Sequence, residues 1–184
     1  MPLATVFGGS GFLGSHVVEK LIKNNYKVRV FDKSSFPKDI IVSQVISGDI
    51  LDSKAVDNAV NESDVVYNFA GLSDLNLGLE SPLETIELNI LGNTNILEAC
   101  RKYNTKRFIY ASTVYVYSKE GGFYRCSKQA SEWYVEEYQK MYGLNYTILR
   151  YGSLYGPRSN ESNGLYQIVK SALTQGKITY HGSP

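Results

Sequence analysis

Cysteine is scarce: Cys100 and Cys126 are the only two in 184 residues, and neither a CxxC pair nor a histidine cluster goes with them. A disulfide framework and a metal site are therefore unsupported. An excess of one charge is lacking too. Nineteen Lys and Arg stand against 18 Asp and Glu, a balance that offers nothing to a nucleic-acid backbone. No apolar run approaches the ~20 residues needed to cross a bilayer. Met1 leads at once into a strand-like segment, which leaves no room for a signal peptide. These absences predict a cytoplasmic, reducing setting without membrane or nucleic-acid partners. The length suits one domain.

What is present is alternation. Strand-like runs fall at about 2–7, 26–31, 41–47, 64–69, 106–111 and 144–149. Helical stretches fall between them near 12–24, 53–60, 82–103 and 124–142. This order predicts an α/β fold, a doubly wound parallel sheet covered on both faces. The helix over 82–103 has start signals: Ser81 as N-cap, Pro82 at the first position and Glu84 placed for a capping box. A further helix over 163–175 and a short strand over Lys177–Tyr180 precede His181-Gly182-Ser183-Pro184, which has a loop composition.

The junction of the first strand and helix reads Gly8-Gly-Ser-Gly11-Phe12-Leu13-Gly14. In such a turn the first glycine permits the sharp bend, the second lets backbone approach a pyrophosphate, and the third lets helix and sheet pack closely. The amides of Phe12 and Leu13 and the helix dipole then form an anion site. Three spaced glycines are also compatible with a plain strand–helix turn. Asp32 ends the second strand, 18 residues after Gly14. A carboxylate there can accept hydrogen bonds from both hydroxyls of an adenosine ribose and repels a 2′-phosphate, which favours NAD over NADP. Lys33 beside it pulls the other way.

Tyr124 and Lys128 are one helical turn apart and share a face. A free phenol, with a pKa of ~10, is a poor base at neutral pH. A neighbouring ammonium favours the phenolate and can make it a general base. The pair follows the strand Phe108-Ile109-Tyr110-Ala111 and the hydroxyls of Ser112 and Thr113, and in parallel sheets ligands lie beyond the carboxyl ends of strands. A Thr113 hydroxyl there can bridge a substrate oxygen and the tyrosine.

With these motifs the chain resembles the extended short-chain dehydrogenase/reductase family, the NAD-dependent nucleotide-sugar epimerases and dehydratases. The resemblance also rests on Gly48-Asp49-Ile50, Asn68-Phe69-Ala70-Gly71, Asn89 in its helix, Val116-Tyr117, and Arg150 through Tyr155-Gly156-Pro157-Arg158. It implies adenine contacts from Asp49 and Ile50. It places Phe69, Ala70, Gly71 and Asn89 beside the cofactor. It makes Thr113, Tyr124 and Lys128 catalytic, Tyr124 and Lys128 also binding cofactor. Ser112, Thr113, Tyr124 and Ser153 would face substrate, although the family usually has Asn at the Ser153 position. The resemblance further implies a Rossmann domain over 1–184, a small substrate-binding domain downstream, and a homodimer formed through the 82–103 and 124–142 helices.

Dehydratases of the family carry an Asp-Glu pair directly after the strand-five Thr, and decarboxylases a Glu at its second position. Here those positions are Val114 and Tyr115, which cannot act as a carboxylic acid–base pair. A C4 epimerase, working through a transient keto sugar, needs no such acid and becomes the leading expectation. A reductase or dehydrogenase of the same family, and a non-catalytic NAD-binding module, remain open.

Overall fold

The computed structural model describes residues 1–159, 161 and 163–178. The chain divides into two units, Met1–Arg150 and Tyr151–Pro184. The expected strand over Lys177–Tyr180 runs into residues outside that description, as does the His181–Pro184 loop; Lys177 and Ile178 are not in a strand.

Six strands form one sheet: β1 (Leu3–Phe7), β2 (Lys27–Asp32), β3 (Gln44–Ser47), β4 (Val65–Asn68), β5 (Arg107–Thr113) and β6 (Tyr146–Tyr151). Their order is β3-β2-β1-β4-β5-β6, and the pairs β1–β2, β1–β4, β2–β3 and β4–β5 are parallel. The chain order reverses between β1 and β4, the crevice where doubly wound sheets take ligands. In register, Phe7 stands beside Asn68 and Asn68 beside Tyr110. The residues that follow, Gly8, Phe69 and Ala111, therefore share the carboxyl edge.

Helices cover the sheet. α1 (Phe12–Lys23) buries Val18 and Leu21, which join Ala4, Val6, Val28 and Val30 in one apolar cluster. α2 (Ser53–Val60) starts on Asp52, whose carboxylate accepts from the amides of Lys54 and Ala55. The larger cluster joins Val56 and Val60 to Phe7, Phe31, Phe108, Ile96, Leu97 and Val135. α6 (Gly122–Tyr142) supplies Val135 and ends at Gly143, where φ is +72°.

The expected 82–103 helix is interrupted. It consists of α4 (Pro82–Ile86), a π-helical turn (Glu87–Leu91) and α5 (Gly92–Lys102). A separate helix, α3 (Leu75–Glu80), precedes it, capped by Asp74. Because Ser81 closes α3 as well as opening α4, its side chain makes no capping hydrogen bond. The Thr85 hydroxyl instead donates to the Ser81 carbonyl, so the capping box built on Glu84 does not form. β5 reaches two residues beyond the expected run, to Thr113, and a 3₁₀ turn over Val114–Tyr117 follows.

In the second unit, α7 (Gly164–Gln175) is capped by Asn163, whose side-chain oxygen accepts from Tyr166 N at 2.9 Å.

Candidate active site

The glycine turn closes against β4. A Cβ added at Gly14 would lie 2.1 Å from the Gly8 carbonyl oxygen, and one at Gly8, where φ is +73°, would lie 2.6 Å from Ala70 N. Neither position has room for a side chain. α1 opens at Gly11 with no side-chain cap and no acid in its first turn. The amides of Phe12 and Leu13 thus head an uncapped helix, the arrangement that takes phosphate oxygens. Asp32 closes the turn from β2: its carboxylate accepts from Ser10 N and from Ser34 N, each at 2.9 Å.

Asp49 and Ile50 lie at the end of β3. Asp49 accepts from Leu51 N at 3.0 Å and stands 3.7 Å from the Lys33 ammonium. Ile50 is buried, packs over Gly92, and has its carbonyl held by the Asn95 side chain at 2.9 Å. Asn89 sits in the π-helical turn with both polar atoms bonded inside the protein. Its oxygen accepts from Leu72 N at 2.8 Å, and its nitrogen donates to Leu72 O and Ser127 Oγ at 2.9 Å each. Gly71 runs directly against that carboxamide. Asn89 thereby joins the segment after β4 to α6.

At the end of β5, Thr113 is 5% exposed. Its hydroxyl oxygen accepts from Tyr115 N at 3.2 Å. Burial raises Tyr124 above its ordinary pKa; the neighbouring Thr113 hydroxyl lowers it, and the nearby Tyr115 phenol adds to the rise. Lys128 donates to Ala111 O at 2.9 Å and lies 4.7 Å from the Tyr110 ring centroid and 5.8 Å from that of Tyr124. Burial pushes its pKa down to about 8, and Glu132 acts in the opposite direction. Ser112 is 4% exposed, and its hydroxyl has no hydrogen-bond partner among the described residues.

Thr113, Tyr124 and Lys128 thus come together despite the short 114–123 connection. Gly121 and Gly122 turn the chain there with φ of +89° and +49°. Arg125 then donates to Ser118 O and Gln129 to Val116 O, both at 2.9 Å, holding the loop to α6. Ser153 lies exposed in the second unit.

Two participants were not expected. The Ala111 carbonyl anchors Lys128, and Glu132, 6% exposed, forms an ion pair with Arg150 from β6 at 2.7 Å. The four-residue spacing of Lys128 and Glu132 carried the second signal. A backbone carbonyl leaves none in the sequence.

The profile of the NAD dependent epimerase/dehydratase family matches residues 4–183. This chain belongs to that family. A Methanocaldococcus jannaschii protein assigned as a UDP-glucose 4-epimerase is 33% identical over 174 residues, 84% of this chain and 57% of its own length. The dTDP-D-glucose 4,6-dehydratase of Dictyostelium discoideum is 28% identical, covering 97% of this chain and 50% of its own length. The crystal structure of Thermotoga maritima UDP-glucose 4-epimerase with UDP-glucose superposes with a TM-score of 0.87 at 29% identity, over 98% of this chain and 66% of that one. The chain therefore spans between half and three-fifths of the length of these two relatives. The glycine cradle, the uncapped start of α1 and the acid at the end of β2 fit the family's NAD. Among the described residues no helix is long and apolar enough to cross a membrane.

Proposed function

We propose that this chain forms the NAD-binding part of a nucleotide-sugar epimerase acting at C4. The observation that carries the reading is the gathering of Thr113, Tyr124 and Lys128 at the β5 edge, with Val114 and Tyr115 filling the next two positions. Tyr124 takes the proton of the sugar hydroxyl, and Thr113, beside that phenol, orients it. Lys128, held by Ala111 O, favours the phenolate. NAD, when bound, supplies a reversible hydride acceptor. Burial raises the Tyr124 pKa above its ordinary value, and the Lys128 ammonium acts against that rise. Gly8, Gly11, Phe12, Leu13, Gly14, Asp32, Asp49, Ile50, Phe69, Ala70 and Gly71 hold the cofactor, while Asn89 braces the last of these. Ser112, at the β5 edge beside Thr113, faces the sugar nucleotide.

The same reading places the enzyme in the cytoplasm as a homodimer. α4 to α6 expose Leu83, Ile86, Leu91, Trp133 and Met141, each at least half exposed. A second copy packed on α4 to α6 would cover these exposed apolar side chains. Light scattering checks the stoichiometry.

The deciding experiment joins this chain to the substrate-binding domain that the resemblance implies, incubates it with NAD and UDP-hexoses that differ at C4, and follows the sugars by NMR. Residues 1–184 alone should bind NAD and turn the sugars over negligibly. In the joined protein, interconversion of C4 epimers, reduced at least ~100-fold in Tyr124→Phe, is the expected result. A 4-keto-6-deoxy product would mark a dehydratase, and stoichiometric NADH a dehydrogenase. Either would overturn the epimerase reading.

A further inference from the structure

Tyr124, Lys128 and Glu132 follow one another at four-residue intervals and lie along a single strip of α6. The first two belong to the candidate site. Glu132 has no part in that chemistry, yet it is 6% exposed, and a buried carboxylate requires a partner. Arg150 supplies one. Its Nε reaches the two carboxylate oxygens at 3.0 and 3.3 Å, and its Nη2 reaches one of them at 2.7 Å. Arg150 is itself held on the far side: its guanidinium lies 4.8 Å from the Tyr117 ring centroid and donates to the Tyr117 hydroxyl. Tyr117 ends the 3₁₀ turn that follows Thr113. The ion pair therefore joins α6, β6 and the turn after β5.

Lys128 is also buried, 7% exposed. The groups around it are the Tyr110 ring and the Ala111 carbonyl from β5, and Tyr124 and Glu132 from α6. From β6, Arg150 acts through Glu132. Glu132 is the only anion in that set. A buried ammonium with aromatic and carbonyl neighbours alone would lose its proton readily.

We propose that Glu132 is a positioning residue for the Tyr124–Lys128 pair: clamped by Arg150, its carboxylate is the buried counter-charge that holds Lys128 as an ammonium. The inference rests on the reading of Tyr124 and Lys128 as catalytic only for its consequence. The charge relationship itself can be measured without turnover.

The test is a ¹³C NMR titration of the lysine Cε resonances in this chain, with Lys128 assigned by its loss in Lys128→Met. The parent should titrate near pH 8. Glu132→Gln should titrate about one unit lower, and Glu132→Asp should restore the parent midpoint. Should Glu132→Gln fail to fold, the double variant Glu132→Gln/Arg150→Met removes both charges at similar volume, a change buried pairs often tolerate. With the Arg150 charge gone as well, its downward shift should be smaller than that of Glu132→Gln but still present. A carboxylate that only ties elements together would lower the melting temperature and leave the Lys128 midpoint unmoved. That result in either variant overturns the proposal. Absence of epimerase activity would leave the titration unaffected, so the two readings fail separately.

Discussion

The Lys128 ammonium lies 4.7 Å from the ring centroid of Tyr110, inside a site that leaves the lysine 7% exposed. The aromatic face offsets part of the cost of burying a cation, but burial still dominates and brings the pKa down to about 8. Unfolded, the same lysine titrates near 10.4. Between those values the unfolded chain holds more protons than the folded one, so stability rises with pH across the window. Below pH 8 the penalty is fully present, about 3 kcal/mol. Lys128→Met should therefore be more stable than the parent at pH 7, and its advantage should shrink as pH rises from 8 to 10.5. Denaturant melts of both proteins across that range check it.

Gly14 tests the cradle. Its absent Cβ would sit 2.1 Å from the Gly8 carbonyl oxygen, and backbone cannot yield as a side-chain tip can. Gly14→Ala should cost about 1–3 kcal/mol and abolish NAD binding. At Gly11 the equivalent contact is 3.2 Å, so Gly11→Ala should fold nearly as well as the parent while binding NAD weakly. Thermal melts paired with calorimetry separate the two effects.

Asn89 braces the segment after β4. Replacing it with Leu removes the partners of both Leu72 N and Leu72 O in a buried place, at a cost of about 2–3 kcal/mol. Hydrogen exchange at the Leu72 amide should accelerate more than at β5 amides. Equal acceleration throughout would show global loosening rather than a local brace.

The α/β alternation, the glycine turn with Asp32 and the one-turn spacing of Tyr124 and Lys128 were legible because each rests on short-range patterns: strands and helices in turn, glycine spacing, an acid at a strand end, two residues one helical turn apart. The interrupted 82–103 helix was not. Ile86, Ile90, Leu91 and Leu97 keep an apolar spacing compatible with an unbroken helix. What adds the extra residue per turn is a long-range demand, the reach of Asn89 to Leu72 and Ser127. α3 was hidden for a related reason. Leu77 and Leu79 are half exposed or more, so the helix lacks the apolar stripe that betrays α1. The Lys128 anchor on Ala111 O belongs to backbone and leaves no mark on residue type.

Asp32 carries two duties that one substitution can separate. Its carboxylate holds the glycine turn through Ser10 N and the chain after β2 through Ser34 N. Those bonds leave further acceptor capacity, since an ionised carboxylate offers about four lone-pair sites. Ribose hydroxyls can use that capacity, whereas a 2′-phosphate meets a fixed negative charge. Lys33 does little to relieve that repulsion, because its ammonium lies 3.7 Å from Asp49 and both side chains are well exposed. The parent should therefore bind NAD well ahead of NADP. Ser10 N and Ser34 N bind different oxygens of the carboxylate, so Asp32→Asn keeps an acceptor for one of the two amides and removes the charge. It should weaken NAD by roughly tenfold, the loss of one charge-assisted hydrogen bond, while NADP binding improves. Asp32→Ala releases both amides, so NAD binding should fall further and the melting temperature should drop with it. Calorimetry of the three proteins with both cofactors decides the matter: if NADP binds the parent as tightly as NAD, Asp32 does not face the ribose.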